Sequence, residues 1–467
     1  MDTPVDLLDA AVARGVDPEG EFLLDIGSPG GITSYTLSGL QREVADRARG
    51  LQGALERDGV KPGTVHPIVL DTTLEGVVTL LALWRLGVVP APLNPRLTER
   101  ERAEAVRGLA GVSADGAQVV LWTSGTSGSP RGVALGFAAM ATHSDAVADR
   151  LGETPTDCWL TTLSIAHVGG LMLLARCILR GIPVVVSGPL SPEEMLRLLQ
   201  EKDFGGGWSR GVSHVSLVPT QLSRLLEAGR DGAPPETFRC ALLGGAHTSE
   251  ALLSRALAAG WPVALTYGMT EMTSQVATAT PAQVREKPGS VGRPLEGVRI
   301  GVTPDGEIRV KGHEALAYLD GTSLTDPDGW YRTGDLGHLD EDGDLWVTGR
   351  RSRRIISGGV NVDPSEVEAV LRRHPAIVDV CVVGVPDPEW GEIVAAWVVP
   401  VEGEFELDEI GEWLRGEVAG PKRPKRWLVE NDMPTNANGK IDTRHIRDRL
   451  RESISPGPRL GSPTQDG

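Results

Sequence analysis

Several short segments of this chain carry residue types that could bind and activate a phosphorylated ligand. The first is Leu121-Trp-Thr-Ser-Gly-Thr-Ser-Gly-Ser-Pro-Arg-Gly-Val133. An apolar run before the loop, Ala117–Trp122, reads as a buried strand. Thr123, Ser124, Gly125, Thr126, Ser127 and Gly128 then offer hydroxyl and amide donors on a backbone that can lie close to phosphate oxygens. Arg131 adds a fixed positive charge. No Gly-Lys-Ser/Thr follows, and Gly132–Leu135 reads as a second strand, so this is not a Walker A element. A flexible Ser/Gly connection is the alternative.

Tyr267-Gly-Met-Thr-Glu271 follows a predicted strand, where ligands sit in open α/β sheets. Thr270 supplies a hydroxyl and Glu271 a hard oxygen ligand suited to Mg²⁺ carrying nucleotide phosphates, although Thr-Glu also serves to start a helix. Leu242-Leu-Gly-Gly-Ala246 is another strand end, with bare backbone able to lie against a flat base or simply to turn. Tyr331-Arg-Thr-Gly-Asp-Leu336 holds Asp335, a carboxylate able to accept both hydroxyls of a ribose or to form a turn. Gly349-Arg-Arg-Ser-Arg-Arg-Ile-Ile-Ser-Gly-Gly359 and Asn438-Gly-Lys-Ile441 complete the set, the latter placing Lys440 beside a turn.

These segments need elements to position them. Strand-like and helix-like stretches alternate: Val65–Leu70, Leu74–Leu86, Val88–Ala91, Pro183–Ser187, Pro192–Gln200, His214–Val218, Gln221–Glu227, Cys240–Leu243, Glu250–Ala259 and Val263–Thr266. That order predicts an α/β fold, a large N-terminal domain of mostly parallel sheets layered with helices. Beyond Gly349 the stretches shorten. Ser365–Arg373 and Leu407–Val418 read as helices, and Ile377–Val385 and Ile393–Val399 as strands, a small α+β domain. The predicted division is residues 1–349, a hinge at 350–352, a small domain over 353–452 and a disordered Pro/Gly/Ser-rich tail over 453–467.

Composition narrows the function. The chain of 467 residues has a net charge of −17, which argues against nucleic acid or an anionic membrane as the main partner while leaving room for a locally basic ATP site. Seven of the 46 basic residues are lysine, a bias that fits either codon composition or a saline cytoplasm. Cys158, Cys177, Cys240 and Cys381 are scattered without paired spacing, as in a reducing cytosol. Met1–Gly20 lacks the apolar run of a signal peptide, and Gly76–Leu93 is interrupted by Arg85, Pro90 and Pro92, so a cytoplasmic protein without stable membrane insertion is expected. Oligomeric state is left open, a homo-oligomer being compatible with the sequence.

Taken together and in this order, from about Leu37 to Leu450, the segments resemble the adenylate-forming superfamily of acyl-CoA ligases, peptide-synthetase adenylation domains and luciferases. The resemblance implies ATP, Mg²⁺ and CoA as reaction partners. It makes Thr123–Arg131 the phosphate loop, Gly245 and Tyr267 adenine contacts, Thr270 and Glu271 the phosphate and Mg²⁺ residues, and Asp335 the ribose ligand. Arg350 becomes a nucleotide-contacting arginine, Ser352 the hinge, Gly358 and Gly359 part of a thioester-forming loop, and Lys440 the adenylation lysine. Within the superfamily, His214-Val-Ser-Leu-Val-Pro-Thr-Gln-Leu-Ser-Arg-Leu-Leu226, the segment Tyr267–Val276 and the hinge serine are most similar to the ligases that activate o-succinylbenzoate in menaquinone biosynthesis. Ala166-His-Val-Gly-Gly-Leu171 lacks the aspartate that holds an amino group in amino-acid adenylation domains.

That resemblance predicts substrate contacts at His167, Arg176, Ser216 and Gly268. Arg176 interrupts an apolar helical stretch, where it must reach solvent, meet an internal partner or receive an anion such as the succinyl carboxylate. The implied chemistry is attack of an ionised acid on the α-phosphate of ATP, followed by thiolysis of the acyl-adenylate. Two departures stand out: Pro130-Arg131 where Pro-Lys is usual, and Arg353-Arg354 where Asp followed by an apolar residue is common. A ligase for another aryl or medium-chain acid is the near alternative, and a non-catalytic nucleotide-binding protein a further one. Gly207-Trp-Ser-Arg-Gly211 matches the nucleophile pattern of α/β hydrolases at Ser209, but the pattern needs a strand before and a helix after, whereas Lys202–Gly207 is polar and glycine-rich and Val212–Val218 reads as a strand.

Overall fold

The computed structural model describes residues 3–27, 31–107, 109, 112, 114–124, 130–205, 208, 210–357, 360–388, 390–401, 406–437 and 439–452. They divide into two compact units. The first comprises Met1–Thr303, Ile308–Thr333 and Leu339–Trp346; the second comprises Pro304–Glu307, Gly334–His338 and Val347–Gly467.

The first unit opens with α1 (Leu7–Ala13), β1 (Glu21–Asp25), β2 (Thr33–Thr36) and the long α2 (Leu37–Arg57). Next come β3 (Val65–Val69), α3 (Leu74–Arg85), β4 (Val89–Leu93), α4 (Glu99–Val106), β5 (Ala117–Ser124), β6 (Pro130–Gly136) and α5 (Phe137–Leu151). It continues through β7 (Trp159–Leu160), α6 (Val168–Arg180), β8 (Val184–Val186), α7 (Pro192–Gln200), β9 (His214–Leu217), α8 (Pro219–Ala228) and β10 (Cys240–Leu243). Then come α9 (Glu250–Ala258), β11 (Val263–Met269), β12 (Ser274–Ala279) and α10 (Pro281–Glu286). Helix starts obey local chemistry: the Ser191 hydroxyl accepts the Glu194 N–H (3.2 Å) while Glu194 accepts the Ser191 N–H (2.8 Å), a capping box that opens α7 where the sequence predicts it.

Among the described residues eight strands form the main sheet, in the order β12-β11-β10-β9-β7-β8-β1-β2. From β1 to β11 neighbouring strands are parallel; β2 and β12 close the two edges antiparallel. Helices cover both faces, which is why the central strands read as unbroken apolar runs. Helix α6 is buried from Gly170 through Leu179, Arg176 being the one charged residue within that stretch. The β5–β6 hairpin pairs Ala117 through Ser124 with Gly136 back to Pro130. At the carboxyl end of this region, Lys287 donates to Asp340 (2.8 Å), Asp342 (2.5 Å) and Asp344 (2.8 Å), three carboxylates of one turn.

After β13 (Arg299–Val302), β14 (Glu307–Lys311), β15 (Ala317–Tyr318), β16 (Tyr331–Leu339) and β17 (Leu345–Arg350), the chain builds the rest of the second unit. This holds β18 (Ile355–Ser357), β19 (Val360–Val362), α11 (Pro364–Leu371), β20 (Ile377–Asp387), β21 (Gly391–Pro400), α12 (Leu407–Glu417), β22 (Arg426–Val429) and α13 (Thr443–Glu452). Alternation along β20 and β21 explains their composition. Val380, Val382, Val394, Ala396 and Val398 pack with α11 and α12, whereas Cys381, Val383, Val385, Ile393 and Trp397 pack with Ile446 and Leu450 of α13. Both faces are covered, so no polar alternation survives.

The division places residues differently from the sequence-based boundary at Arg350–Ser352. Asp335 falls in the second unit because its surroundings do: Gly337 N–H donates to Gly306 (2.9 Å), Gly334 N–H to Glu307 (3.2 Å), and Arg350 pairs with Asp335 (3.1 Å). The unusual Arg353 is explained by its partners. Its guanidinium donates to the buried Glu368 of α11 (2.6 Å) and to the Val382 carbonyl (3.2 Å), while Glu368 accepts the Val382 N–H (2.9 Å). An apolar residue could not hold that carboxylate, and an aspartate would repel it. The tail over 453–467 lies outside the described residues.

Candidate active site

The site of the first unit is built at the carboxyl ends of parallel strands, where helix and strand leave the sheet together. Past β7 the chain reaches Ala166 and His167, which caps α6; Ser216 lies within β9; Gly244 and Gly245 come directly after β10; and Tyr267–Met269 end β11, with Thr270 and Glu271 in the single 3-10 turn that follows. Segments far apart in sequence thus share one sheet edge because their strands are neighbours and point the same way. The Thr162 hydroxyl donates to the Ser216 carbonyl, joining the β7 and β9 ends.

Glycine is required at Gly268. A Cβ there would stand 2.0 Å from the Ser274 carbonyl oxygen, so any side chain would push β12 away from β11. Gly245 has φ +79°, the left-handed turn that leaves β10.

Glu271 is 9% exposed and accepts the Tyr318 hydroxyl (3.1 Å), with the Tyr331 hydroxyl 3.5 Å from that of Tyr318. Burial, then the neighbouring Glu271 charge, holds the Tyr331 phenol far above its ordinary range, and burial raises Tyr318 to about 12. Both phenols therefore stay protonated and able to donate toward the carboxylate. The hydroxyl of Thr270 and the carboxylate of Glu271 are hard-oxygen donors, a set suited to Mg²⁺ shared with phosphates. The Asp340–Asp342–Asp344 group is different: the Lys287 ammonium already sits among its three carboxylates.

Arg131 lies at the loop end of the β5–β6 hairpin, opposite Thr123. Its guanidinium meets Asp320 through Nε (3.1 Å) and Nη2 (3.3 Å) and stacks 3.6 Å from the Tyr318 ring centre. Through Tyr318 it is linked to the group that holds Glu271. The side chain of Ser124 and all of Gly125, Thr126, Ser127 and Gly128 lie outside the described residues, as do Gly358, Gly359, Ser209 and the side chain of Ser352. The next regular element after Ser209 is the strand β9, not the helix that a nucleophile turn needs.

Arg176 has an internal partner that the sequence did not reveal. Its Nε donates to Glu153 Oε2 (3.0 Å), both side chains being 2% exposed or less, and its guanidinium stands 4.8 Å from the Trp159 ring. The Nη2 atom has no hydrogen-bond partner among the described residues. A second buried polar group lies on the neighbouring strand: the Ser213 hydroxyl is 2.7 Å from His214 Nδ1, Asp157 is 3.7 Å from that nitrogen, and Arg239 pairs with Asp157 (2.5 Å). Burial outweighs Asp157 and lowers His214 to about 4.

In the second unit Asp335 pairs with Arg350, leaving its carboxylate 16% exposed. Lys440 is exposed on a tight turn: its N–H donates to the Asn436 side chain (3.1 Å) and its carbonyl accepts the Asn436 N–H (2.7 Å), beside a bridge between Thr435 and Ile441.

Sequence reasoning missed Glu153, Tyr318 and Tyr331 as site residues. A signal for the tyrosines existed: only four occur in the chain, and Tyr267, Tyr318 and Tyr331 all lie on strands of this region.

A parallel sheet with glycine turns, a threonine and a carboxylate at its carboxyl edge, joined to a small α+β unit, defines a nucleotide-dependent enzyme class. The chain belongs to the family of AMP-binding enzymes, whose description matches residues 26–110 and 108–319, with the C-terminal domain of that family matching residues 366–440. It is 33% identical over 448 residues to 2-succinylbenzoate–CoA ligase of Bacillus cereus (strain Q1), covering 86% of this chain and 91% of the relative. It is 37% identical to the Bacillus anthracis (strain A0248) protein of that name over 72% of this chain and 70% of the relative. Among solved structures, o-succinylbenzoate CoA synthetase (MenE) of Bacillus subtilis in complex with the acyl-adenylate OSB-AMP superposes with a TM-score of 0.81 at 29% identity, covering 97% of this chain and 99% of that one. MatB of Rhodopseudomonas palustris with ATP gives 0.81 at 26% identity, covering 95% and 99%.

Proposed function

We propose that this chain is an AMP-forming acid–CoA ligase that activates o-succinylbenzoate as its acyl-adenylate and passes the acyl group to CoA, a step of menaquinone biosynthesis, in the cytoplasm. The observation that carries the choice of acid is similarity along 86% of the chain to ligases named for it.

The chemistry asks little acid–base work of the protein, because a carboxylate is already ionised at neutral pH. Its oxygen attacks the α-phosphorus of ATP, the bond to the bridging oxygen breaks, and pyrophosphate leaves. The CoA thiol then attacks the acyl carbon, loses its proton and displaces AMP. Positioning and charge neutralisation supply the rate. Gly245 and Tyr267 receive the adenine, Asp335 the ribose, Thr270 the phosphates, and Arg350 a further nucleotide contact. Glu271 is the carboxylate available to Mg²⁺, which neutralises phosphate charge when bound. Lys440 brings its ammonium to the acid and the α-phosphate in the first step, and the 358–359 segment serves the second. His167, Ser216 and Gly268 line the acid, with Arg176 Nη2 facing its second carboxylate.

A second reading, a ligase for a monocarboxylic aryl or medium-chain acid, is favoured by Glu153, which already neutralises Arg176. CoA-dependent AMP release measured over o-succinylbenzoate, benzoate and medium-chain fatty acids decides between them. Turnover with o-succinylbenzoate at least about tenfold above the others is expected, a modest share of what one bidentate ion pair contributes. Equal or better turnover of a monocarboxylate overturns the assignment of the acid.

A further inference from the structure

Immediately past Thr270 and Glu271 the backbone is strained. Thr273 (φ +58°) and Ser274 (φ +108°) are consecutive non-glycine residues in the left-handed region, which persists only where the surroundings hold it. Two groups of contacts do so. From one side, Thr273 donates its hydroxyl to the His313 carbonyl (2.7 Å) and Ala315 N–H donates to the Glu271 carbonyl (2.9 Å). From the other side comes α5: His143 Nε2 accepts the N–H of Gln275 (2.9 Å), the first residue beyond the strained pair and 132 positions away in sequence.

His143 is 1% exposed, so no water can replace it as acceptor, and an unmet buried N–H is costly. Imidazole accepts at Nε2 only when that nitrogen carries no proton. Burial, with His313 at 5.9 Å between ring centres and the Arg176 charge, lowers the proton affinity of His143 well below its ordinary range and keeps the ring neutral. The Gln275 side chain is held separately, by the Thr266 hydroxyl of β11 (3.3 Å) and the Thr278 hydroxyl (2.7 Å), and β12 is paired along β11, so the strand has its own anchor. What depends on His143 is the turn.

We propose that His143 is a positioning residue for adenylation: by accepting the Gln275 N–H it fixes the Thr270–Ser274 turn, and with it the Thr270 hydroxyl and the Glu271 carboxylate that receive the phosphates and Mg²⁺. The inference rests on the reading of Thr270 and Glu271 given above. The test is made on the full chain with His143→Asn, whose amide mimics only the Nδ1 position, and His143→Gln, whose amide reaches the Nε2 position. Acid-dependent ATP–pyrophosphate exchange is measured across Mg²⁺ concentrations, beside CoA-dependent AMP release from supplied acyl-adenylate. In His143→Asn the maximal exchange rate falls about tenfold and the half-saturating Mg²⁺ concentration rises several-fold, the scale of one lost buried hydrogen bond. Thioester formation stays within about twofold, and His143→Gln recovers most of both losses. Should His143→Asn not fold, Ser274→Gly added to it relieves the strain and is expected to restore exchange; failure to do so overturns the inference. Unchanged Mg²⁺ dependence in folded His143→Asn, or equal loss of both half-reactions, also overturns it. Glu271→Gln run in parallel separates the two levels. If Glu271→Gln keeps wild-type exchange, the reading of the phosphate site itself is wrong; if it is impaired while His143→Asn is not, only the positioning role is.

Discussion

Glu271 is 9% exposed, faces a tyrosine hydroxyl, and sits at the end of a strand whose neighbours are buried on both faces. Lys440 is exposed on a turn closed by its own near neighbours between Asn436 and Ile441. The first unit holds its polar groups by packing, so replacing one disturbs others. The second presents Lys440 on a short local loop, so replacing it subtracts little else. Stability and activity should therefore be coupled at Glu271 and separable at Lys440.

The largest effect is expected at Arg176. Arg176→Ala strands the buried Glu153 carboxylate and should cost roughly 3–5 kcal/mol of stability by thermal or urea denaturation. Arg176→Met with Glu153→Gln removes both charges and should recover most of that loss. If the recovered protein still prefers o-succinylbenzoate to a monocarboxylate analogue, Arg176 serves the fold alone. Next is Lys440→Ala, expected to lower ATP–pyrophosphate exchange about 10²-fold while leaving the melting temperature and the thioester half-reaction unchanged. A marked drop in melting temperature would break the comparison. Glu271→Gln should reduce adenylation about tenfold or more, alter its Mg²⁺ dependence and also lower stability, because the Tyr318 hydroxyl loses a charged acceptor. Asp335→Ala should raise the KM for ATP several-fold with little change in kcat, the signature of lost uniform binding.

A further expected effect is a pH slope. His214 titrates near 4 in the folded chain against about 6.5 unfolded, so the unfolded state binds the extra proton between those values. Stability should fall as pH drops through that window and be flat above it. In His214→Gln the slope should shrink; an unchanged slope assigns it to other groups.

Long apolar alternations were legible. Cys240–Leu243 and Pro192–Gln200 have the predicted limits, since a strand between turns and a capped helix declare their ends locally. The edge strand β12 was not, because Ser274, Gln275 and Thr278 are polar yet buried; nor was the sheet β13-β14-β16-β17, whose residues, among them Arg299–Val302 and Tyr331–Leu339, mix polar and apolar side chains over partly exposed faces. The carboxyl-edge motifs were readable because glycine, threonine and carboxylate at strand ends are chemically telling. The second half of each site was hidden in distance: Glu153 lies 23 positions from Arg176, Tyr318 lies 47 from Glu271, and no local pattern links either pair.

Lys287 carries a different kind of consequence. Three carboxylates bond its ammonium, and their hydrogen bonds raise its proton affinity far above that of an ordinary lysine. Acylating reagents attack only the free amine. In a timed labelling experiment on the folded chain, Lys287 should thus be among the slowest of the seven lysines to react, and its delayed modification would serve as a chemical clock for the opening of that turn.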